Sequence, residues 1–386
     1  ITYNIKEVGN WSKEYVEKQL NKMNTAYIPE VILWVNDKIS SDKKSILRQY
    51  ILKKGYYPIF MNIDILNYHN YKANKEESNL LYPSLNQKEY HFNYFKNSKF
   101  CTVINLPEDS FDNVIDLYDQ AIHNENVNSI YITIYRTKID KRLINTLIEG
   151  TKLGKKLNVY IELISRGDEL NNYNLYNKLN NECNLNNLNI YTSYCGLKVH
   201  AKIGLIVLNN GSCIAHCGTG NFNEDTAKLY KDTHVITNDG TITKNIIHCF
   251  NLITNKDTEH RIKLKRILRD EINKETSKGS EGYIYLLCNH VADNEIVNLL
   301  RIAKSKGCTV IIKPRSTFGY SEDDFPKEFR GGRFLEHERI YIFGKGDNPR
   351  VYLSSSDILF RNFYKRMEFT FKIPDYVNKY LFIDTK

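Results

Sequence analysis

The sequence predicts two tandem α/β domains related by an internal duplication and preceded by a partial helical or mixed segment. Three observations carry this. From about residue 93 onward, apolar strand-length runs alternate with amphipathic helical runs. A polar, helix-prone junction at 256–278 divides that stretch in two. The same order of motifs then occurs on both sides of the junction. The expected domains are therefore 1–92, 93–257 and 258–386.

Residues 1–92 say least. Ser12, Glu14 and the apolar series Val16, Leu20 and Met23 read as a capped amphipathic helix, 28–35 as a strand, and 67–86 as a polar loop. Next, Ser110 caps a helix through Phe111, Val114, Ile115, Leu117, Tyr118 and Ile122. A strand follows at 129–135. Leu143, Ile144, Leu147 and Ile148 line a helix closed by Gly154, and 157–164 is another strand. Strands alternating with helices imply a parallel sheet. In the second run, strands at 283–287 and 309–313 flank a helix around Val297, Leu300 and Ala303, and strands at 340–343 and 351–353 continue it.

The 386 residues are 41% hydrophobic and 26% charged, as in a soluble globular protein. No apolar run nears the ~20 residues that a spanning helix needs. No secretory leader is visible, and a start at Ile1 rather than Met leads us to expect a trimmed or partial chain. Eight scattered cysteines without a CxxC pair point to reduced thiols and a cytoplasmic location. Cys213 and Cys217 flank His216, but the alternation around them reads as a buried strand rather than a metal site. The net charge of +9 favours an anionic partner without choosing which.

The duplicated motifs carry the chemistry. In the first half a strand leads to Ser165-Arg166, then come His200-Ala201-Lys202, a strand, and Gly218-Thr219-Gly220-Asn221. In the second half a strand leads to Arg315-Ser316, then come His337-Glu338-Arg339, a strand, and Ser354-Ser355-Ser356-Asp357. A histidine opening a strand, with a basic residue two positions on, puts both side chains on one face. Imidazole can take up a phosphoryl group while the cation neutralises an oxygen. Two such pairs make a pseudo-twofold site in which one histidine attacks and the other acts as acid, base or phosphate ligand. The turn ending at Asn221 precedes an expected helix from Glu224, an arrangement that suits phosphate oxygens. Arg136, Arg166 and Arg315 each end an expected strand, where ligands bind in open parallel sheets.

The runs 196–202, 218–223 and 226–232 closely resemble the larger, phosphohistidine-forming polyphosphate kinase family, whose catalytic domains are phospholipase-D-like. So do 134–136, 162–169, 333–341 and 352–357 running on to Arg361-Asn362, in the family's order over roughly 92–375. The resemblance implies that His200 is the phosphorylated residue, with ATP or ADP and inorganic polyphosphate as substrates. It implies that Tyr230, Arg315 and His337 contact the nucleotide, with Asn221 in the phosphate turn. It associates Arg136 and Arg166 with Mg²⁺, most simply through shared phosphate oxygens. It implies that Lys202 binds phosphate and that Glu368 orients a histidine. Also implied are a dimer or tetramer, peripheral contact with a membrane, and no nucleic acid as partner. The family's amino-terminal domain has no counterpart, and Ser316-Thr317-Phe318 replaces its usual Gly-Ile-Cys. Phospholipase-D-like phosphodiesterases and nucleases carry an Asp five residues after the basic residue; here Val207 and Gly344 stand there, which disfavours that chemistry. A non-catalytic polyanion-binding relative is the other alternative.

Overall fold

The computed structural model describes residues 85–380 apart from 97, 166–167, 193–196, 256–262, 328–331 and 347, together with 30–35, 45, 49 and 57–62. The chain divides into two compact units, Ile1–Pro83 and Ser84–Lys386. In the first, β1 (Glu30–Val35) and β2 (Tyr57–Asn62) pair in parallel. The helix expected after Ser12 and most of the loop expected at 67–86 lie outside the described residues.

The second unit is a mixed α/β structure built twice. Its first half runs β3 (Cys101–Leu106), α1 (Asp112–His123), β4 (Val127–Ile134), α2 (Arg142–Lys152), β5 (Lys156–Ile161), α3 (Glu169–Glu182), β6 (Leu188–Tyr191), β7 (Lys198–Val199), β8 (Ile203–Leu208), β9 (Cys213–Gly218), β10 (Tyr230–Thr237) and α4 (Gly240–Asn255). The second half runs α5 (Lys263–Thr276), β11 (Tyr283–Val291), α6 (Asn294–Ser305), β12 (Thr309–Phe318), β13 (Leu335–Glu336), β14 (Ile340–Phe343), β15 (Arg350–Ser354), α7 (Phe360–Tyr364), β16 (Arg366–Met367) and β17 (Thr370–Lys372). The helices follow the apolar spacing: α1 buries Val114, Ile115, Leu117, Tyr118, Ala121 and Ile122. Ser110 accepts the Asp112 amide at 3.2 Å at its start, and Gly154 closes α2 at φ +89°.

The sheets depart from the parallel arrangement expected. Besides two two-residue ladders, β4–β5–β6 and β11–β12 are the parallel pairings among the described strands of this unit; β8, β9 and β10 in the first half, and β14, β15 and β17 in the second, run antiparallel. The reason lies in loop length. Residues 209–212, with Gly211 at φ +81°, make a tight turn between β8 and β9, whereas a parallel crossover needs a dozen or more residues.

Three local expectations also shift. The helix expected from Glu224 is a single 3₁₀ turn, Thr226–Lys228. The Asn223 side chain accepts the amides of Asp225 and Thr226, and β10 starts too soon for a longer helix. β5 stops at Ile161, because Glu162 turns inward to accept the amides of Val199 and Ile164. β12 runs on to Phe318, so Arg315 sits inside a strand rather than at its end.

The apolar core forms three clusters, and the middle one joins the halves. Val199, Ile203 and Val235 of the first half meet Ile340, Leu353 and Met367 of the second. Helix α4 contributes Ile242, Ile246, Phe250 and Ile253 to the same cluster. Each fully buried aliphatic side chain contributes about 1.5–3 kcal/mol, so this shared cluster holds the two halves as one body.

Candidate active site

The site is made by two very short ladders that cross between the halves. β7 pairs in parallel with β16, Lys198 opposite Arg366 and Val199 opposite Met367. The next residues on the two segments are His200 and Glu368. β13 pairs in parallel with β10, Leu335 opposite Tyr230 and Glu336 opposite Lys231. The next residues there are His337 and Asp232. Each half therefore supplies a histidine to a carboxylate of the other half. The backbone pins both: the His200 amide donates to the Met367 carbonyl at 2.8 Å, and the His337 amide to the Lys231 carbonyl at 3.1 Å. His200 and His337 accordingly lie in the links just before β8 and β14, rather than opening those strands as the sequence suggested.

His200 donates Nδ1–H to Glu368 Oε2 at 2.9 Å. Ser355 Oγ also donates to Oε2 at 2.5 Å, and Asn362 Nδ2 donates to Oε1 at 2.7 Å. Ser355 and Asn362 thus leave the carboxylate oxygens as acceptors, and an ionised carboxylate takes the ring N–H of His200 in the same way. Burial, reinforced by Lys202 and Arg366, holds the His200 imidazolium far below the usual histidine range. The ring is thus neutral, its proton is on Nδ1, and the Nε2 lone pair is available. Burial pushes the Glu368 carboxyl up, against the pull of Lys202 and Arg366.

The second centre repeats the first. His337 Nδ1 donates to Asp232 Oδ2 and Oδ1 at 2.9 and 3.0 Å. Thr219 Oγ1 donates to Asp232 Oδ1 at 2.7 Å, taking the place that Ser355 has beside Glu368. Thr219 and Ser355 each also accept the amide that follows the carboxylate, Thr233 and Phe369, both at 3.0 Å. Burial, then Arg339, lowers His337. Burial alone would raise Asp232, but His337 and Arg339 bring it below the usual carboxylate range. Gly220 is required by this packing: a Cβ there would stand 2.3 Å from Asp232 Cγ. Its φ is not positive, so the glycine serves close approach rather than the turn.

The two cations also match. Lys202 Nζ donates to the His200 carbonyl, and Arg339 donates to the His337 carbonyl at 2.8 Å. Lys202 is buried and held well below the usual lysine range by that burial, partly offset by Glu368. Tyr135 meets the His200 ring edge-on at 4.7 Å, and Tyr230 meets His337 at 5.3 Å.

Among the residues expected from sequence, the structure brings together His200, Lys202, His337 and Glu368, with Tyr230 beside His337. Asn221 is buried in the turn after β9. Arg136 follows β4 and pairs Nε to Asp168 Oδ2 at 3.1 Å. Arg315 acts, with Arg361, on the charge of His290 beside Asp357. Arg166 lies outside the described residues. No three His, Cys, Asp or Glu side chains converge on a cation cage among the described residues. Cys213 and Cys217 lie on the buried strand β9, and His216 bonds His234 rather than a thiol.

Sequence reasoning left Asp232 without a role, although the signal was there. It falls eleven residues after Asn221, and Glu368 falls eleven after Asp357. Ser355, Thr219 and Asn362 were likewise visible only as motif letters.

Two histidines buried between duplicated α/β halves, each tied to a carboxylate and crowded by cations, define a paired-histidine centre. The comparisons sharpen this. The sequence model for polyphosphate kinase C-terminal domain 1 matches residues 93–259, and that for C-terminal domain 2 matches 252–381. The polyphosphate kinase of Escherichia coli strain K12 is 33% identical over 282 residues, covering 68% of this chain and 40% of that protein. That of Yersinia pestis is 32% identical over 340 residues, covering 80% and 49%. A crystal structure of the Porphyromonas gingivalis polyphosphate kinase shares the fold at a TM-score of 0.73 and 23% identity, covering 88% of this chain and 56% of that one. The chain belongs to the polyphosphate kinase family. It spans less than half the length of these curated relatives. No helix among the described residues is long and apolar enough to cross a membrane.

Proposed function

We propose that this chain transfers the terminal phosphoryl group between ATP and inorganic polyphosphate through a phosphohistidine at His200. The observation that carries this is the neutral His200 ring with Nδ1–H given to Glu368, which leaves Nε2 as nucleophile. In the forward direction Nε2 forms a bond to the γ-phosphorus as the bond to the β,γ-bridging oxygen breaks, and ADP leaves with that electron pair. Glu368 stabilises the positive charge that develops on the ring. Lys202 and Arg339 offset charge on the transferring oxygens, where positioning and electrostatics supply most of the catalysis. His337, with Nδ1–H fixed by Asp232 and Nε2 beside the Arg339 guanidinium at 3.2 Å, serves as acid, base or phosphate ligand. A terminal phosphate oxygen of the polymer then attacks the phosphohistidine, and Nε2 leaves as a neutral lone pair. Magnesium is proposed only as the ion carried on the nucleotide phosphates. Family membership and the cationic site also support the remaining proposals: Arg315 and Tyr230 on the nucleotide, Arg136 and Arg166 on phosphate oxygens, and an oligomer working in the cytoplasm or at a membrane surface.

The test is incubation of the purified chain with γ-³²P-ATP. Acid-labile, alkali-stable label and polymer synthesis are expected, and both should vanish in His200→Ala. Label retained in that variant sinks the assignment.

A further inference from the structure

The two centres are near copies, so something must decide which histidine accepts the phosphoryl group. The corresponding parts agree one by one. Histidine meets carboxylate, hydroxyl meets carboxylate, and the cation two positions on bonds the histidine carbonyl. Two differences in charge set them apart: Arg366 lies two residues before Glu368 where Tyr230 lies two before Asp232, and Asn221 closes the turn of the first half where Asp357 closes that of the second.

Asp357 is almost fully buried and takes hold of Arg339. Oδ1 accepts Arg339 Nε at 3.2 Å and Oδ2 accepts NH2 at 3.3 Å. The Asn289 amide donates to Oδ1 at 2.8 Å. Burial opposes its ionisation, yet Arg339 keeps the carboxyl far below its usual range. Asn221, at the corresponding position, carries no charge, and its buried Oδ1 has no hydrogen-bond partner.

The local charges follow. Around His200 stand three cations, Lys202, Arg366 and Arg339, against the carboxylate Glu368. Around His337 stand the cations Arg339 and Lys202, against two carboxylates, Asp232 on the ring and Asp357 on Arg339. A phosphoryl group brings two or more negative charges into a water-poor site, where the sign of the surroundings counts heavily. The surplus of positive charge favours it at the first centre, whereas at the second cations and carboxylates balance. Lys202, destabilised as a cation by burial that Glu368 only partly offsets, gains a further counter-charge when a phosphate oxygen arrives.

We propose that the Asn221/Asp357 difference assigns the roles: Asp357 neutralises Arg339 and so bars phosphoryl uptake at His337, while Asn221 leaves the charge of Lys202 for the group carried by His200. Asp357 is a positioning residue, acting through Arg339. The proposal rests on the phosphohistidine reading above.

The experiment maps the acid-labile label by peptide after incubating the full chain with γ-³²P-ATP. The unaltered chain is expected to carry label at His200 alone. Asp357→Asn is expected to carry label at His337 as well, and Asn221→Asp to lose label at His200 by about tenfold or more, as the new carboxylate pairs with Lys202. A folded Asp357→Asn protein labelled only at His200 overturns the proposal. Should that variant fail to fold, Asn221→Asp decides, and unchanged labelling at His200 overturns it. A chain that takes no acid-labile label even when unaltered overturns the phosphohistidine reading itself, a different outcome from label that stays where it was.

Discussion

At the scale of the residue, the working unit is a histidine whose tautomer is set by a carboxylate from the far half of the chain. Glu368 does two things for His200: it holds the proton on Nδ1 and balances the charge that grows as Nε2 bonds to phosphorus. Glu368→Gln keeps the shape and an oxygen acceptor but removes the charge, and its amide can turn to donate to Nδ1 instead. Stopped-flow measurement of phosphohistidine formation should fall by about 10²-fold or more, with ATP binding little changed. A variant as fast as the parent would show that Glu368 only fills space. Asp232→Asn should be milder for labelling of His200, since it disturbs His337, and should instead slow passage of the group to polymer. Equal losses in both steps would contradict that division of labour.

At the scale of the element, much of the architecture was legible. Apolar spacing placed α1, α2 and α6, and the repeated motif order exposed the duplication. The antiparallel strands were missed because alternation reports burial, not direction; the tight 209–212 turn was the cue. The ladders β7–β16 and β10–β13 were out of reach, since two-residue strands leave no periodicity to read. That is also why Asp232 stayed a motif letter: its partner is 105 residues away in sequence. The packing of these turns allows a sharp test. Gly220→Ala would drive a methyl into Asp232, at 2.3 Å from Cγ. Urea unfolding should show a loss of about 1–3 kcal/mol, and the displaced Asp232 should slow transfer to polymer. Full stability in that variant would mean that the β9–β10 turn yields more easily than its burial implies.

At the scale of the whole molecule, joining two halves around a polar site forces many ionisable groups indoors, and this couples folding to pH. Behind the site runs a buried chain: Tyr118 OH to His216 Nδ1 at 3.0 Å, then His216 Nε2 to His234 Nδ1 at 3.0 Å. Phe222 stacks on His216 at 4.3 Å. Burial holds His216 well below the histidine range and brings His234 down to about 4. His200, His290 and His337 are lowered too, again by burial first. A histidine that stays neutral when folded but protonates near 6.5 when unfolded lets the unfolded chain bind the extra proton. Its contribution is complete above 6.5 and is lost as pH falls from there towards the folded value. Each such residue costs about 1.4 kcal/mol per pH unit across that window. Glu162 and Glu368, both raised by burial, act in the opposite sense above their ordinary value of 4.5, but they are two against five histidines. Stability measured by urea unfolding should therefore fall steadily from pH 7 to pH 5, before most carboxylates titrate. A stability that holds level or rises over that interval would show that these rings are protonated in the folded chain, and would take with it the neutral His200 on which the proposed chemistry depends.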